Sequence, residues 1–313
     1  MKNNKQMKVM IRSLIIFVSV SLLTFSINSC RSGGSKDDFQ NINVEDSDLD
    51  IGNLQVSEET MTDIVENISS PVEMAALIKS LGVEFSKEYL APTNDVDKLN
   101  TSFKQAFNLG IYGCDLGYLN MYNKTSTVLD YISVIKDLAD DIKVGQFFDF
   151  ATLKRLATNN SNLDSLMDIS VRSFNLMDSY LRDNSRGNLS TLIITGVWIE
   201  GLYLATQVAS KSPHPDLKER IGEQKITLEK LLLLLKNYQK DPQFAELITY
   251  FEDLENLYKE ITITIEYGET EAVEKDGMLM FIQNEKSIVN ISDEQLSNII
   301  TKTDDIRKQL LQL

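Results

Sequence analysis

The chain is poor in the residues that build most reactive centres. It has two cysteines, one histidine, one tryptophan and five prolines in 313 residues. The lone histidine, His214, sits in Ser212-Pro213-His214-Pro215, a break expected at the surface. Zinc sites built on His and Cys therefore have too few ligands, and no metal is expected. Haem and iron–sulfur ligation fail for the same reason, and a histidine-based triad would need His214 in an improbable place. There is no G-x-S-x-G elbow, no phosphate-binding P-loop and no G-x-G-x-x-G turn. No cofactor is expected, and no residue is assigned a catalytic role.

Asp46-x-Asp48-x-Asp50 opens like a calcium loop, but the glycine is displaced to Gly52 and Ser57 stands at the twelfth position. It is read as an acidic spacer. The scarcity of proline, together with long periodic stretches, points to helices.

Acids outnumber bases over the whole chain, 46 to 31, but not at its start. Residues 1–12 hold Lys2, Lys5, Lys8 and Arg12 and no acid; residues 13–27, SLIIFVSVSLLTFSI, are an apolar run. That order is a signal peptide, and the run is shorter than the roughly 20 residues that span a bilayer. Ile27-Asn28-Ser29-Cys30 follows, and it resembles the lipobox of bacterial lipoproteins. The resemblance implies cleavage before Cys30, lipid on its sulfur and membrane attachment through that lipid. Several acyl chains on one cysteine make a lasting anchor where one binds only reversibly. Cys114 would then be the one thiol left, so no intrachain disulfide is expected. Its place in an apolar stripe reads as a small buried hydrophobe.

Removing residues 1–29 leaves 27 Lys and Arg against 46 Asp and Glu, a formal charge of −19. Such a surface repels phosphate backbones and lacks a basic stripe, which excludes nucleic acid as a partner. Residues 30–57 read as the lipidated cysteine and an acidic tether. Ser35-Lys36-Asp37-Asp38 within it resembles the short signal of surface-exposed lipoproteins, and the tether is equally compatible with a periplasm-facing placement. Residues 58–313 read as one helical domain.

Within that domain EMAALIKSL (73–81) reads as a short helix stopped by Gly82. A long helix is expected after Asp95, reaching about Tyr122, with Phe103, Phe107, Ile111, Cys114, Tyr118 and Met121 on one stripe. Further helices follow at 125–142, 148–157 and 162–182. TLIITGVWIEGLYLATQVAS (191–210) carries a single charge, Glu200, and reads as the buried central helix. Helices over 217–238 and 241–263 come next, and one from Ser292 to about Leu311 closes the chain. ITITIEY and MLMFIQ alternate like strands. The class is thus all-α, a multi-helix bundle or α-α repeat-like array, with room for a short two-strand element near residues 262–284.

A faint internal repeat suggests a duplication of about 95–185 in 188–311. Gly110, Ile111 and Tyr112 match Gly196, Val197 and Trp198; Asp115 and Tyr118 match Glu200 and Tyr203; Gln146-Phe147 matches Gln243-Phe244. Helical glycines cost about 1 kcal/mol each against alanine. Gly110, Gly113, Gly117, Gly196 and Gly201 recover this only where they let another helix approach. Asp115 and Glu200 lie among apolar neighbours, where a carboxylate must be paired or protonated. Arg155, Arg172, Arg182, Arg186 and the hydroxyls of Tyr118 and Tyr203 are the candidate partners. Two readings stay open. One is a structural pair that fixes helix register. The other is a pocket lined by Tyr112, Asp115, Tyr118, Trp198, Glu200 and Tyr203, in which paired carboxylates could do acid–base work.

FNLGIYGCDLGYLNMYNKTSTVLDYI, NNSNLDSLMDI, SYLRDNSRGNLSTLIITGVWIEGLYLATQV and DDIRKQL together resemble an uncharacterised family of helical lipoproteins from Bacteroidota, over roughly residues 100–311. The resemblance implies an all-helical anchored fold at the outer membrane and brings no activity. The expected function is an anchored binding or scaffold domain for a peptide, glycan or protein. The alternative is a carboxylate-dependent hydrolase or other envelope enzyme.

Overall fold

The helix that carries Glu200 is apolar on nearly every side, and four other helices cover it. A computed structural model of the chain describes residues 77–94, 96–157, 163–275 and 278–311. All of these belong to one compact unit, Ile51–Leu313. Cys30, Ser35-Lys36-Asp37-Asp38, the tether, the Asp46-x-Asp48-x-Asp50 spacer and Asp95 lie outside the described residues. Among the described residues the fold is mostly helical with one antiparallel pair of strands, as the periodicity predicts.

The helices are α1 (Ser102–Met121), α2 (Thr125–Asp141), α3 (Phe150–Ala157), α4 (Leu163–Asp183), α5 (Gly187–Lys211), α6 (Pro215–Lys236) and α7 (Pro242–Tyr258). Strands β1 (Thr262–Lys275) and β2 (Met278–Asn290) come next, and α8 (Asp293–Leu310) is last. Helix α5 packs on α1, α4, α6 and α8; α2 and α3 extend the layer beyond α1, and α7 covers α6 and α8. By length and composition α5 could cross a membrane, but 89% of its apolar window is buried inside the protein.

Local chemistry sets most helix ends. Thr101 caps α1 by accepting from the Lys104 N–H at 3.3 Å. Asp241 caps α7 with Pro242 behind it, and Ser292 and Gln295 form a reciprocal capping box on α8. His214 is the N-cap of α6, its Nδ1 accepting from the Asp216 N–H at 3.3 Å. Helices α1, α2 and α4 end at residues with positive φ, namely Asn123, Lys143 and Ser185. In each the next amide reaches back to a carbonyl five residues earlier, Lys124 to Leu119, Val144 to Ala139 and Arg186 to Leu181.

Three expectations need correction. The first long helix starts at Ser102, because Thr101 offers a cap and residues 96–98 form a separate 3-10 turn. Gln146-Phe147 also lies in a 3-10 turn, Gly145–Phe147, whereas Gln243-Phe244 lies in the first turn of α7, so that match is not structural. The strands run past the expected limit of 284, with Thr262 paired to Asn290 and Lys275 to Met278. At about 3.3 Å per residue the hairpin is roughly 40 Å long. Its base is tied to the bundle by Ile261, Val289 and Ile291, all buried, with Val289 over Gly222 of α6.

The closest helix crossing joins α1 and α5. A Cβ added to Gly110 would lie 2.1 Å from the Ile193 carbonyl oxygen, and one added to Gly196 would lie 2.1 Å from that of Phe107. Gly110 and Gly196, matched in sequence, each receive the other helix's backbone. Gly113 and Gly117 do not: an added Cβ meets nothing within 4 Å at either. Gly110→Ala should therefore cost about 3 kcal/mol or more, because backbone on both sides must move. Gly113→Ala should raise stability by about 0.5–1 kcal/mol through helix propensity alone. Urea unfolding of the two variants checks this; equal effects at the two positions would contradict the crossing.

Candidate functional site

The α1–α5 crossing brings Asp115 and Glu200 together, one turn beyond the paired glycines. Both are fully buried. Their surroundings explain how two acids are tolerated there.

Glu200 is held by Arg307, in the last turns of α8. Arg307 Nε donates to Glu200 Oε2 at 2.9 Å and Nη2 to Oε1 at 2.7 Å, a two-pronged charge-assisted pair. The same Nη2 also donates to the Tyr89 carbonyl at 3.2 Å. The guanidinium lies 4.2 Å above the centroid of the Tyr203 ring, which supplies a cation–π face. Burial alone pulls the guanidinium down; the Glu200 carboxylate and its hydrogen bonds outweigh that and hold it above its ordinary range.

Asp115 has no cation of its own. Its Oδ2 accepts from the Ala91 N–H at 2.8 Å, and Oδ1 accepts from no donor. Burial, and then the charge of Glu200, push its carboxyl well above the usual carboxylate range; the Ala91 amide and Arg307 oppose the shift. Asp115 is within hydrogen-bonding reach of Glu200. A proton on Asp115 would let it donate toward Glu200 and would relieve the repulsion between the two buried acids. Beside them the Cys114 thiol is pushed up by burial and then by Glu200 and Asp115. It is buried, which matches its expected role as a small hydrophobe.

The remaining candidates point their polar ends into protein. Tyr112 Oη donates to the Pro92 carbonyl at 2.7 Å, Tyr118 Oη accepts from the Ser86 N–H at 3.1 Å, and Trp198 Nε1 donates to Gln224 Oε1 at 2.9 Å. The six candidates range from 0 to 7% exposed, so they do not line an open cleft. What fills the space is residues 83–92 of the same chain. Tyr122 Oη donates to the Val83 carbonyl at 2.7 Å, and Tyr131 Oη to the Ala91 carbonyl at 2.5 Å. With Tyr112, Tyr118, Asp115 and Arg307, that makes six side chains gripping the backbone of one segment. Phe85 stacks on Tyr118 at 5.5 Å, and Lys124 lies 4.7 Å over the Phe85 ring.

Burial pushes the hydroxyls of Tyr118, Tyr131 and Tyr203 up, and that of Tyr122 to about 12, so these tyrosines stay protonated donors or acceptors across the physiological range. Of the expected arginine partners, Arg182 is paired with Asp178 and Arg186 donates to the Ile142 carbonyl at 2.7 Å. Sequence reasoning missed Arg307, Tyr131 and the gripped segment. A signal for Arg307 existed: it sits on the buried stripe Ile299, Thr303, Ile306, Leu310 of α8.

Chemically the cluster can hold a proton and fix three helices and a segment. Acid–base work on a substrate requires a carboxyl within about 3 Å of the reacting atom, and here protein occupies that volume. Comparison with protein-family models, curated proteins and solved structures finds no match to this chain.

Two variants test the assignment. Arg307→Met leaves Glu200 buried and unpaired and should cost about 3–5 kcal/mol. Asp115→Asn keeps the Ala91 contact and offers Glu200 a permanent donor. The raised carboxyl of Asp115 stabilises the fold fully only below its unfolded range, and that contribution fades as pH climbs toward the folded value. Asp115→Asn should therefore gain on wild type as pH rises, at up to about 1.4 kcal/mol per pH unit. Urea unfolding at pH 5 and pH 8 reads this, and a difference independent of pH would show that Asp115 carries no proton.

Proposed function

We propose that the chain is a cell-envelope lipoprotein, held to the outer membrane by lipid on Cys30, whose helical domain is a binding or scaffold module. One observation carries the reading: a basic arm, an apolar run too short to span a bilayer, and then Ile27-Asn28-Ser29-Cys30. The acidic tether that follows lets the domain work away from the membrane, on the periplasmic or the outer face. A peptide, a glycan or another protein is the proposed partner class; the charge of the mature chain argues against nucleic acid.

The burial of Asp115 and Glu200 supports binding over hydrolysis. A glycosidase-like pair needs two accessible carboxyls flanking the substrate, and these two are enclosed by α1, α5, α8 and residues 83–92. Metabolic labelling with radioactive palmitate tests the anchor. Wild type should be labelled and partition into detergent, and Cys30→Ala should lose the label and remain in its uncleaved form. Equal labelling of both proteins would overturn the reading.

A further inference from the structure

We propose that the outer edge of β2, over residues 278–282, docks against the same edge of a second copy of this chain, the two hairpins pairing antiparallel and tip against tip. This surface is separate from the Asp115–Glu200 cluster and does not rest on the anchor.

The hairpin is long and thinly supported. Its sheet has two strands among the described residues, so each strand has an edge with no further strand beside it. Its chief contact with the described helices is that of β2 on α6, near the base, where Val289 lies over Gly222. A two-stranded ribbon is marginal in water by itself, and a third strand or a packed helix stabilises it.

An edge that stays single is blunted by charge or by a bulge. Strand β1 has both. It carries Glu266, Glu269, Glu271 and Glu274. Between Tyr267 and Thr270 its register shifts, with Gly268 and Glu269 set against the single residue Asn284. The far end of β2 has neither. Residues 278–284 hold no charge and no proline, and the register runs from Met278 to Gln283 without a shift. Five consecutive residues there, Met278-Leu279-Met280-Phe281-Ile282, are apolar. An uncharged edge of this kind is a template for another strand.

Self-complementarity and charge commit the occupant to a second copy. An antiparallel pairing about a two-fold axis at Met280 sets Met278 opposite Ile282 and Leu279 opposite Phe281. Apolar then meets apolar at all five positions, and opposed residues share a face. The same pairing leaves each β1, with its glutamates and its bulge, on an outer edge, so assembly stops at two copies. It also separates the acidic bundles. Met280 is ten residues from Asn290, which at about 3.3 Å per residue puts the two hairpin bases about 65 Å apart. Over that distance their repulsion is screened, the Debye length being about 8 Å at physiological salt. A lipid surface fits less well, because Glu271, Glu274 and Lys275 are the register partners of Ile282, Leu279 and Met278.

The test is cysteine cross-linking of the full chain with copper phenanthroline, with wild type giving the background from Cys30 and Cys114. The axis brings Met280 opposite its own copy, within the Cα separation that a disulfide spans. Met280→Cys should form a covalent dimer. Val273, the register partner of Met280, lies on the other strand; two copies of it would be about 14 Å apart, three strand spacings, which is too far to bridge. Five positions a side make a small contact, so at about 10 μM the Met280→Cys dimer should exceed that of Val273→Cys about tenfold. Chains with Met278→Cys mixed with chains with Ile282→Cys should link to each other better than either links to itself. The proposal is overturned if Met280→Cys stays monomeric, if Val273→Cys links as well, or if the mixed chains link no better than each alone. A tip bound to lipid gives the first of these results, with the Met280→Cys thiol shielded from a water-soluble maleimide.

Discussion

Glu200 is a carboxylate on the most apolar helix of the protein, and everything around it is arranged to neutralise it. Water cannot, because α5 is covered on all sides. The Arg307 guanidinium does so through two hydrogen bonds, and this fixes α8 on α5 in both rotation and height. A buried pair of this kind adds little net stability against an apolar substitute, because desolvation offsets the attraction. Its consequence is positional. Sliding α8 by one residue would leave a buried charge unpaired, which costs more than any local repacking could recover.

The glycine crossing makes the same demand from the other side. Gly110 and Gly196 let α1 and α5 meet backbone to backbone, which carries Asp115 to Glu200 one turn further along. At that distance two charged carboxylates would repel in a low dielectric. Protonating Asp115 removes the repulsion and supplies a donor. Gly110 and Gly196, matched in the internal repeat, each receive the other helix's backbone, and the matched acids Asp115 and Glu200 interact. The two acids differ in partner: Glu200 has Arg307, and Asp115 has the Ala91 amide.

How much of this could be read from sequence follows from range. The helices, the capping of α6, α7 and α8 and the burial of α5 are written in spacings of three and four and in single capping residues. The pairing of Asp115 with Glu200 was visible only as a weak repeat, because their contact joins helices 85 residues apart. The partner of Glu200 was sought among arginines near in sequence, and it lies 107 residues away. Of the two readings left open for the acids, the pocket gives way for a different reason. Tyr112, Tyr118 and Asp115 do line a groove, but residues 83–92 fill it. No periodicity marks that segment: it has one short 3-10 turn, Lys87–Tyr89, and side chains bond six of its backbone groups.

That segment gives the buried cluster its meaning for the whole protein. Residues 83–92 lead from the N-terminal part of the chain into α1, and they are joined to the bundle by Tyr112, Asp115, Tyr118, Tyr122, Tyr131 and Arg307. Arg307 belongs to both systems, because its Nη2 bonds Glu200 and Tyr89 together. Loosening the segment would expose Asp115 and Glu200 to water, so detachment of the strap and opening of the acid cluster are one event. The segment therefore cannot detach without disrupting the charge pair that sets the register of α8 on α5.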